Sequence, residues 1–314
     1  MSQQLSADTT AKTTLAKSLQ GRLRPGEKFI EGGIVIAGVL AIVVLLGVFI
    51  LLLKEGLPIF VNTSPWEFFF GAKWYPVSDP PSFGTLPFFV ATLMVTVLAT
   101  AIAVPIGVAC AAYLAEIAPV KVRETLKPII EVLAGFPSVV MGLIGLLILS
   151  PAIQSIFNLN TGLCGLTAGI MLALMSLPVI VSVSEDALRA VPDEFRQASL
   201  ALGATRWETI RHVSIPAALS GIAAAIMLGV GRAIGETMTV LMVAGGALGV
   251  PHSPADPMMP MTAAIASGIG NAVRGGLQYQ ALFAIGLVLF IITLIVNLFA
   301  DRVLERQKRK FAGM

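Results

Sequence analysis

The sequence predicts an all-α integral membrane protein of about six transmembrane helices, with one compact helical loop on the cytoplasmic side. Three observations carry this expectation. Of 314 residues, 56% are hydrophobic and 12% charged, and the mean hydropathy is +0.88. The apolar residues gather in runs long enough to supply the ~20 residues that a helix needs to cross a bilayer. Lys and Arg crowd alternate loops, as the positive-inside rule requires of a multi-pass chain.

In chain order, the candidate spans are residues 29–53, 87–115, 128–150, 163–184, 217–245 and 279–300. Residues 1–28 are polar and lead into a run too long for a signal core, so they are expected to form a cytoplasmic tail. The basic residues lie in that tail (Lys12, Lys17, Arg22, Arg24, Lys28), after span two (Lys121, Arg123, Lys127), after span four (Arg189, Arg196, Arg206, Arg211) and at the C-terminus (Arg302, Arg306, Lys308, Arg309, Lys310). Only Lys54, Lys73, Arg274 and Arg232 lie elsewhere, which predicts that both termini are cytoplasmic. The chain then divides into a tail at 1–28, a first span at 29–53, an extracytoplasmic loop at 54–86, a five-span core at 87–303 and a cytoplasmic tail at 304–314.

The first outer loop reads SPWEFFFGAKWYPVSDPPSFG, and its Trp66, Phe68, Phe69, Phe70, Trp74 and Tyr75 suit anchors at the membrane interface. The Asn62-Thr63-Ser64 sequon is followed by Pro65 and reads as a chance match. Cys110 near the inner end of span two and Cys164 at the outer start of span four are too far apart for a disulfide and read as free apolar thiols. Spans two, three and four carry interior prolines, Pro105, Pro137 and Pro178. Each frees a backbone carbonyl that neighbouring helices or water must satisfy. That suits a bundle around a path, and also simple packing kinks. In span five, Gly221, Ala225 and Gly229 repeat every four residues, with Gly231 and Gly235 in a second register, which predicts close helix packing.

The segment from 185 to 216 reads EDALRAVPDEFRQASLALGATRWETIRHVSIP. Pro192 at the first helical position, Asp193 and Glu194 in the first turn and Gly203 as the stop predict one short helix. Thr205 and Glu208 form a T-x-x-E capping box that opens a second. Phe195, Leu200, Leu202, Trp207 and Ile210, interleaved with both charge signs, suit a partner surface with an apolar centre. The sequence holds no Gly-Lys dipeptide and so no phosphate-cradling nucleotide loop. His212 and His252 fall in predicted loops and make no metal site or proton relay.

Gln197-Ala198-Ser199, three residues, Gly203, nine residues and Val213-Ser214-Ile215-Pro216 match the spacing E-A-A, Gly, I-x-L-P. On these residues the chain resembles the transmembrane subunits of ATP-binding-cassette importers. Gln197 replaces the usual Glu, and Ser199 the second Ala. The resemblance implies the type I importer permease fold, and a coupling helix in which Gln197, Ala198, Ser199, Gly203, Ala204 and Thr205 meet the ATPase.

The octapeptide GRAIGETM, residues 231–238, lies inside the predicted fifth span. An arginine mid-span costs ~2.5–3.5 kcal/mol on translocon scales and is expected to face the bundle interior with a partner. Residues four apart share a helix face, so Glu236 is the expected partner of Arg232. From Ala217, Arg232 would lie ~22 Å along the helix at ~1.5 Å per residue. Two readings compete: a structural clamp, or a planar donor fork offered to an oxyanion in transit. GTL at Gly84, LAEIAP at Leu114, FPSVVMGLIG at Phe136 and GRAIGETM make residues 84–303 similar to the C-type permeases of bacterial phosphate-specific importers.

That resemblance implies an inner-membrane location and a pathway through Arg232, Glu236 and Thr237. It implies a second, related permease, two ATPase subunits carrying ATP and Mg, and an extracytoplasmic phosphate-binding protein. No cofactor on this chain and no nucleic-acid partner are expected. Sulfate or molybdate permeases share the R-A-x-G-E core, and an ion-driven secondary transporter or a structural scaffold are the readings of other classes.

Overall fold

The computed structural model describes residues 25–312, so most of the 1–28 tail and the last two residues of the 304–314 tail lie outside the described residues. The chain divides into two compact units, Met1–Leu51 and Leu52–Met314. The described part of the first belongs to helix α1, Pro25–Gly56, which is apolar all round as a spanning helix should be.

After the end of α1, the second unit holds α2 (Ile59–Asn62), α3 (Pro65–Phe70) and a two-stranded antiparallel hairpin, β1 (Trp74–Tyr75) with β2 (Ser82–Phe83). Next come α4 (Leu86–Ala112), a π turn at Tyr113–Ile117 and α5 (Val120–Ala134). Then follow α6 (Ser138–Ile144), a π turn at Gly145–Leu149, α7 (Ser150–Phe157) and α8 (Gly165–Arg189). The segment after α8 holds α9 (Asp193–Ala201), α10 (Arg206–Thr209), a π turn at Ile210–Ser214 and α11 (Ile215–Ala217). The chain ends with α12 (Leu219–Gly235), α13 (Met238–Val243), α14 (Met261–Ile269) and α15 (Leu277–Ala312).

Among the described residues, five helices are long and apolar enough to cross a membrane, or six if Arg206–Ala217 and Leu219–Gly235, bent by 72°, are one span. Two predicted spans need correction. The third is Ser138–Phe157, not 128–150. Its expected first half is α5, a separate helix with no buried residue, whose Lys121, Arg123, Glu124, Lys127 and Glu131 unsuit it to lipid. Pro137 is therefore the N-cap of α6 and not an interior kink; it forces Phe136 out of helical conformation and the chain restarts beyond it. The fifth span stops at Gly235, because Glu236 is extended (φ −70, ψ 130), and does not run to 245. Pro105 and Pro178 do lie inside α4 and α8, and α15 carries the sixth span on through the predicted tail to Ala312.

Packing centres on α8, the most buried of the spans. Ile180, 1% exposed, is wedged between two glycines on different helices. A Cβ at Gly107 of α4 would lie 2.7 Å from Ile180 Cγ2, and one at Gly229 of α12 2.6 Å from Cγ1. A Cβ at Gly221 would meet the Ala187 Cβ at 2.3 Å, and Ala225 is fully buried, so the first small-residue register packs as expected. The second does not: Gly231 and Gly235 have nothing within 4 Å.

The aromatic loop that follows α1 splits in two. Trp66, Phe69, Phe70 and Tyr75 are exposed and free to meet the interface, but Phe68 and Trp74 are core residues, 0% and 6% exposed. They pack with Ile59, Phe83, Phe88, Leu282 and Ile285. Full burial of such a ring is worth about 1.5–3 kcal/mol, which favours the core over a half-wet site. Cys110 and Cys164 are free thiols.

Gly229→Ala is expected to cost about 1–3 kcal/mol through overpacking against a pinned Ile180, while Gly231→Ala is neutral or mildly stabilising. Thermal unfolding of the two purified variants in detergent checks this, and equal melting temperatures would contradict it.

Candidate functional site

Two chain breaks, Gly135–Pro137 after α5 and Glu236–Thr237 after α12, lie against each other and gather the predicted pathway residues. Arg232 sits half-buried in the last turn of α12, where the chain stops being helical. Its Nη2 donates to the Ala134 carbonyl at 3.4 Å, across the break. Thr239 Oγ1 donates to the Ser138 carbonyl at 3.0 Å from the other side. Arg232 Nε is buried and has no hydrogen-bond partner.

Glu236 does not pair with Arg232. Among the described residues, no carboxylate lies within 4.0 Å of that guanidinium. The expected pair presupposed a continuous helix, and the turn at Glu236 removes the shared face. The Glu236 Oε1 instead accepts from the backbone N–H groups of Thr237 (3.2 Å) and Thr239 (3.4 Å) at the opening of α13. Its carbonyl accepts from Thr262 Oγ1 at 2.7 Å, which pins the turn to α14. Thr237 Oγ1 donates to the Gly235 carbonyl at 3.4 Å. Cation and carboxylate have thus each found a helix end of opposite partial charge: Arg232 the carbonyl end of α5, Glu236 the amide end of α13. An unpaired buried donor costs about 1–3 kcal/mol, so Arg232 Nε leaves this site with unspent capacity for an acceptor.

The loop between α8 and α12 folds largely as its residues predict, except that Ile210, expected on the partner surface, is buried at 3% exposure. Helix α9 begins one residue later than expected, with Pro192 as N-cap. It ends in a Schellman motif: Gly203 N–H donates to the Leu200 carbonyl and Ala204 N–H to the Ser199 carbonyl. Gly203 takes φ +87, a conformation that L side chains rarely adopt. The Thr205–Glu208 capping box forms in both directions. Gln197 and Ala198 are exposed, while the Ser199 hydroxyl lies 2.9 Å from that of Thr209 and ties α9 to α10. Phe195, Leu200, Leu202 and Trp207 are all exposed, Leu202 at 90%. Phe195 also lines a cavity of about 800 Å3, together with Pro192, His212 and Pro216. His212 stands in the π turn, and no group of three or more His, Cys, Asp and Glu among the described residues could hold a metal.

Two buried carboxylates escape a reading by composition. Glu185 is 1% exposed and meets Lys127 and Arg189; Glu116, at 7%, meets Arg196. In the sequence they look like loop charges, because their partners are 58 and 80 positions away. The one available signal was the Glu-Ile-Ala-Pro run that ends span two on a carboxylate.

The family described as "Binding-protein-dependent transport system inner membrane component" matches residues 103–311. "Probable ABC transporter permease protein YqgH" of Bacillus subtilis (strain 168) is 39% identical over 277 residues, 88% of each chain. "Phosphate transport system permease protein PstC" of Mesorhizobium japonicum is 35% identical, over 86% of this chain and 88% of its own. Among solved structures, that of a bacterial ABC transporter involved in the import of the acidic polysaccharide alginate shares the fold, with TM-score 0.59 and 15% identity, covering 89% of this chain and 98% of that one.

The loop makes its own pH prediction. The Thr205 backbone N–H, and after it the Thr205 hydroxyl, hold the Glu208 carboxyl below its ordinary range. A depressed carboxylate contributes fully above its unfolded pKa and is lost as pH falls through the folded one. Amide protection at the start of α10 is therefore expected to fall in that acid window, and Glu208→Gln to abolish the dependence. Hydrogen exchange of wild type and variant, corrected for intrinsic rates, reads it.

Proposed function

This chain belongs to the family of binding-protein-dependent transport system inner membrane components, and from that premise we propose that it is the transmembrane subunit of an ATP-driven phosphate importer. It forms half of the translocation pathway and converts closure of its ATPase partners into alternating access. The observation that carries the anion reading is Arg232: a permanently charged fork, with no carboxylate within 4.0 Å among the described residues and one buried donor unused, at the meeting of two chain breaks. A guanidinium matches the planar, bidentate geometry of an oxyanion and stays charged at every physiological pH.

Relatives bearing the phosphate permease name at 33–35% identity support phosphate in particular. Chemistry adds a reason. Hydrogen phosphate keeps a P–OH donor that a carboxylate such as Glu236 can accept, whereas sulfate has no proton to give and meets only repulsion there. Thr237, at the same turn, offers a neutral hydroxyl. These three residues form the proposed pathway lining.

The exposed apolar residues of α9 and α10 then form the coupling surface, with Gln197, Ala198, Ser199, Gly203, Ala204 and Thr205 at or near the contact. Two ATPase subunits carrying ATP and Mg, a second related permease and an extracytoplasmic phosphate-binding protein complete the complex. The chain sits in the bacterial inner membrane with both termini cytoplasmic. ATP binding closes the ATPases and turns the cavity outward; hydrolysis resets it inward.

The test is uptake of radiolabelled phosphate by cells relying on this importer, with excess sulfate, molybdate or arsenate as competitor. Phosphate is expected to enter with arsenate alone competing, and Arg232→Gln at matched membrane abundance to reduce uptake at least tenfold. Normal uptake by the variant would remove Arg232 from the pathway. Carriage of sulfate or molybdate would keep the mechanism and replace the substrate.

A further inference from the structure

We propose that Arg196 is a positioning residue that carries the movement of α9 into the transmembrane bundle through a buried fork onto Glu116. The inference rests on the reading of the cytoplasmic loop as the surface that meets an ATPase.

The guanidinium joins three segments. Arg196 Nε donates to both carboxylate oxygens of Glu116 at 3.0 Å, and Nη2 lies 3.0 Å from Glu116 Oε1. Nη1 donates to the Val191 carbonyl at 2.7 Å and to Asp193 Oδ1 at 2.8 Å, and Nη2 to the Leu188 carbonyl at 2.8 Å. The end of α4, the end of α8 and the first turn of α9 are thereby fastened to one rigid plane. Only arginine carries enough donors in fixed directions to do this.

Helix α9 has no buried residue, so apolar packing of its own side chains does not hold it to the body. Arg196 and the Ser199–Thr209 hydroxyl contact are its polar fastenings. The Arg196 side chain is 17% exposed and that of Glu116 7%, which shields the pair from solvent and salt. Glu116 stands in the π turn that closes span two, and π turns concentrate at functional positions in helices.

Stability alone is a weak reason for such a pair, since a buried ion pair roughly breaks even against well-packed apolar residues. Stiffness is a better one. An apolar contact slides and resists only compression, whereas a directional fork transmits pull as well as push. The Glu116 hydrogen bond also raises the Arg196 pKa above its ordinary value, so the fork keeps its charge across physiological pH.

The test uses the assembled complex in proteoliposomes with its binding protein, and reads phosphate accumulated per ATP hydrolysed, a ratio that a merely structural role would leave unchanged. For Arg196→Gln and Glu116→Gln, the ATPase is expected to co-purify at the wild-type stoichiometry while the ratio falls tenfold or more. Arg196→Lys, which keeps the charge without the fork, is expected to recover only part of it. A ratio within twofold of wild type in an assembled Glu116→Gln complex overturns the proposal. So does loss of assembly in that variant, or uptake and hydrolysis falling in step. If the wild-type complex assembles with its ATPases but carries no phosphate, the substrate reading fails and not this one, and stimulation of ATP hydrolysis by the binding protein becomes the readout: its loss in the variants supports the fork and its retention overturns it.

Discussion

Ile180, set between Gly107 and Gly229, is the contact on which the rest of the bundle depends. One β-branched side chain fills two notches at once, so α4, α8 and α12 share a register that none could change alone. In lipid there is no hydrophobic drive to bring helices together, and association rests on dispersion across close backbones and on a few hydrogen bonds. Small residues on two helices and a stiff wedge on the third supply that closeness. The Ser176 hydroxyl adds a bond to the Gly229 carbonyl at 3.3 Å in the same layer.

With α12 locked against α8, its end at Gly235 is fixed in space, and so is the turn beyond it. That turn and the break before α6 leave unpaired helix termini inside a membrane protein, which is tolerable only where protein or water satisfies them. Arg232 meets the carbonyl end of α5, Glu236 the amide end of α13, and Thr239 and Thr262 stitch the flanking carbonyls. The charges belong to the breaks and not to each other. A charged side chain that serves a helix terminus loosely, at 3.4 Å and with a donor to spare, can exchange that carbonyl for a better acceptor more readily than one locked to a carboxylate.

In the loop between α8 and α12 the design is the reverse. The loop turns several apolar residues outward while two carboxylates at its base are enclosed: Leu202 and Trp207 face out, and Glu116 and Glu185 are buried in ion pairs. Exposed apolar groups on a small, well-capped knob suit a partner surface, and enclosed ion pairs suit a stiff connection to the helices behind it. Lys127 joins α5 to Glu185 and Asp186 of α8, so the helix that ends at the Arg232 break is itself anchored to the base of the bundle.

The sequence by itself determined the class of the protein, the rough placement of most of its spans, the two-helix loop with its glycine stop and capping box, and the residues worth suspecting. Those features are local: apolar run length, charge bias between loops and the chemistry of caps all act within a few residues of where they are read. It misplaced the third span, ran the fifth too far and paired Arg232 with Glu236, because each of those depends on where a helix breaks. Breaks at Gly135–Pro137 and Glu236–Thr237 become favourable only when distant groups satisfy the freed backbone, Thr262 for one and Arg232 for the other. The ion pairs of Glu116 and Glu185 were hidden for the same reason. Their partners are brought close by packing across the bundle, and only the tertiary structure decided which charges would be buried together.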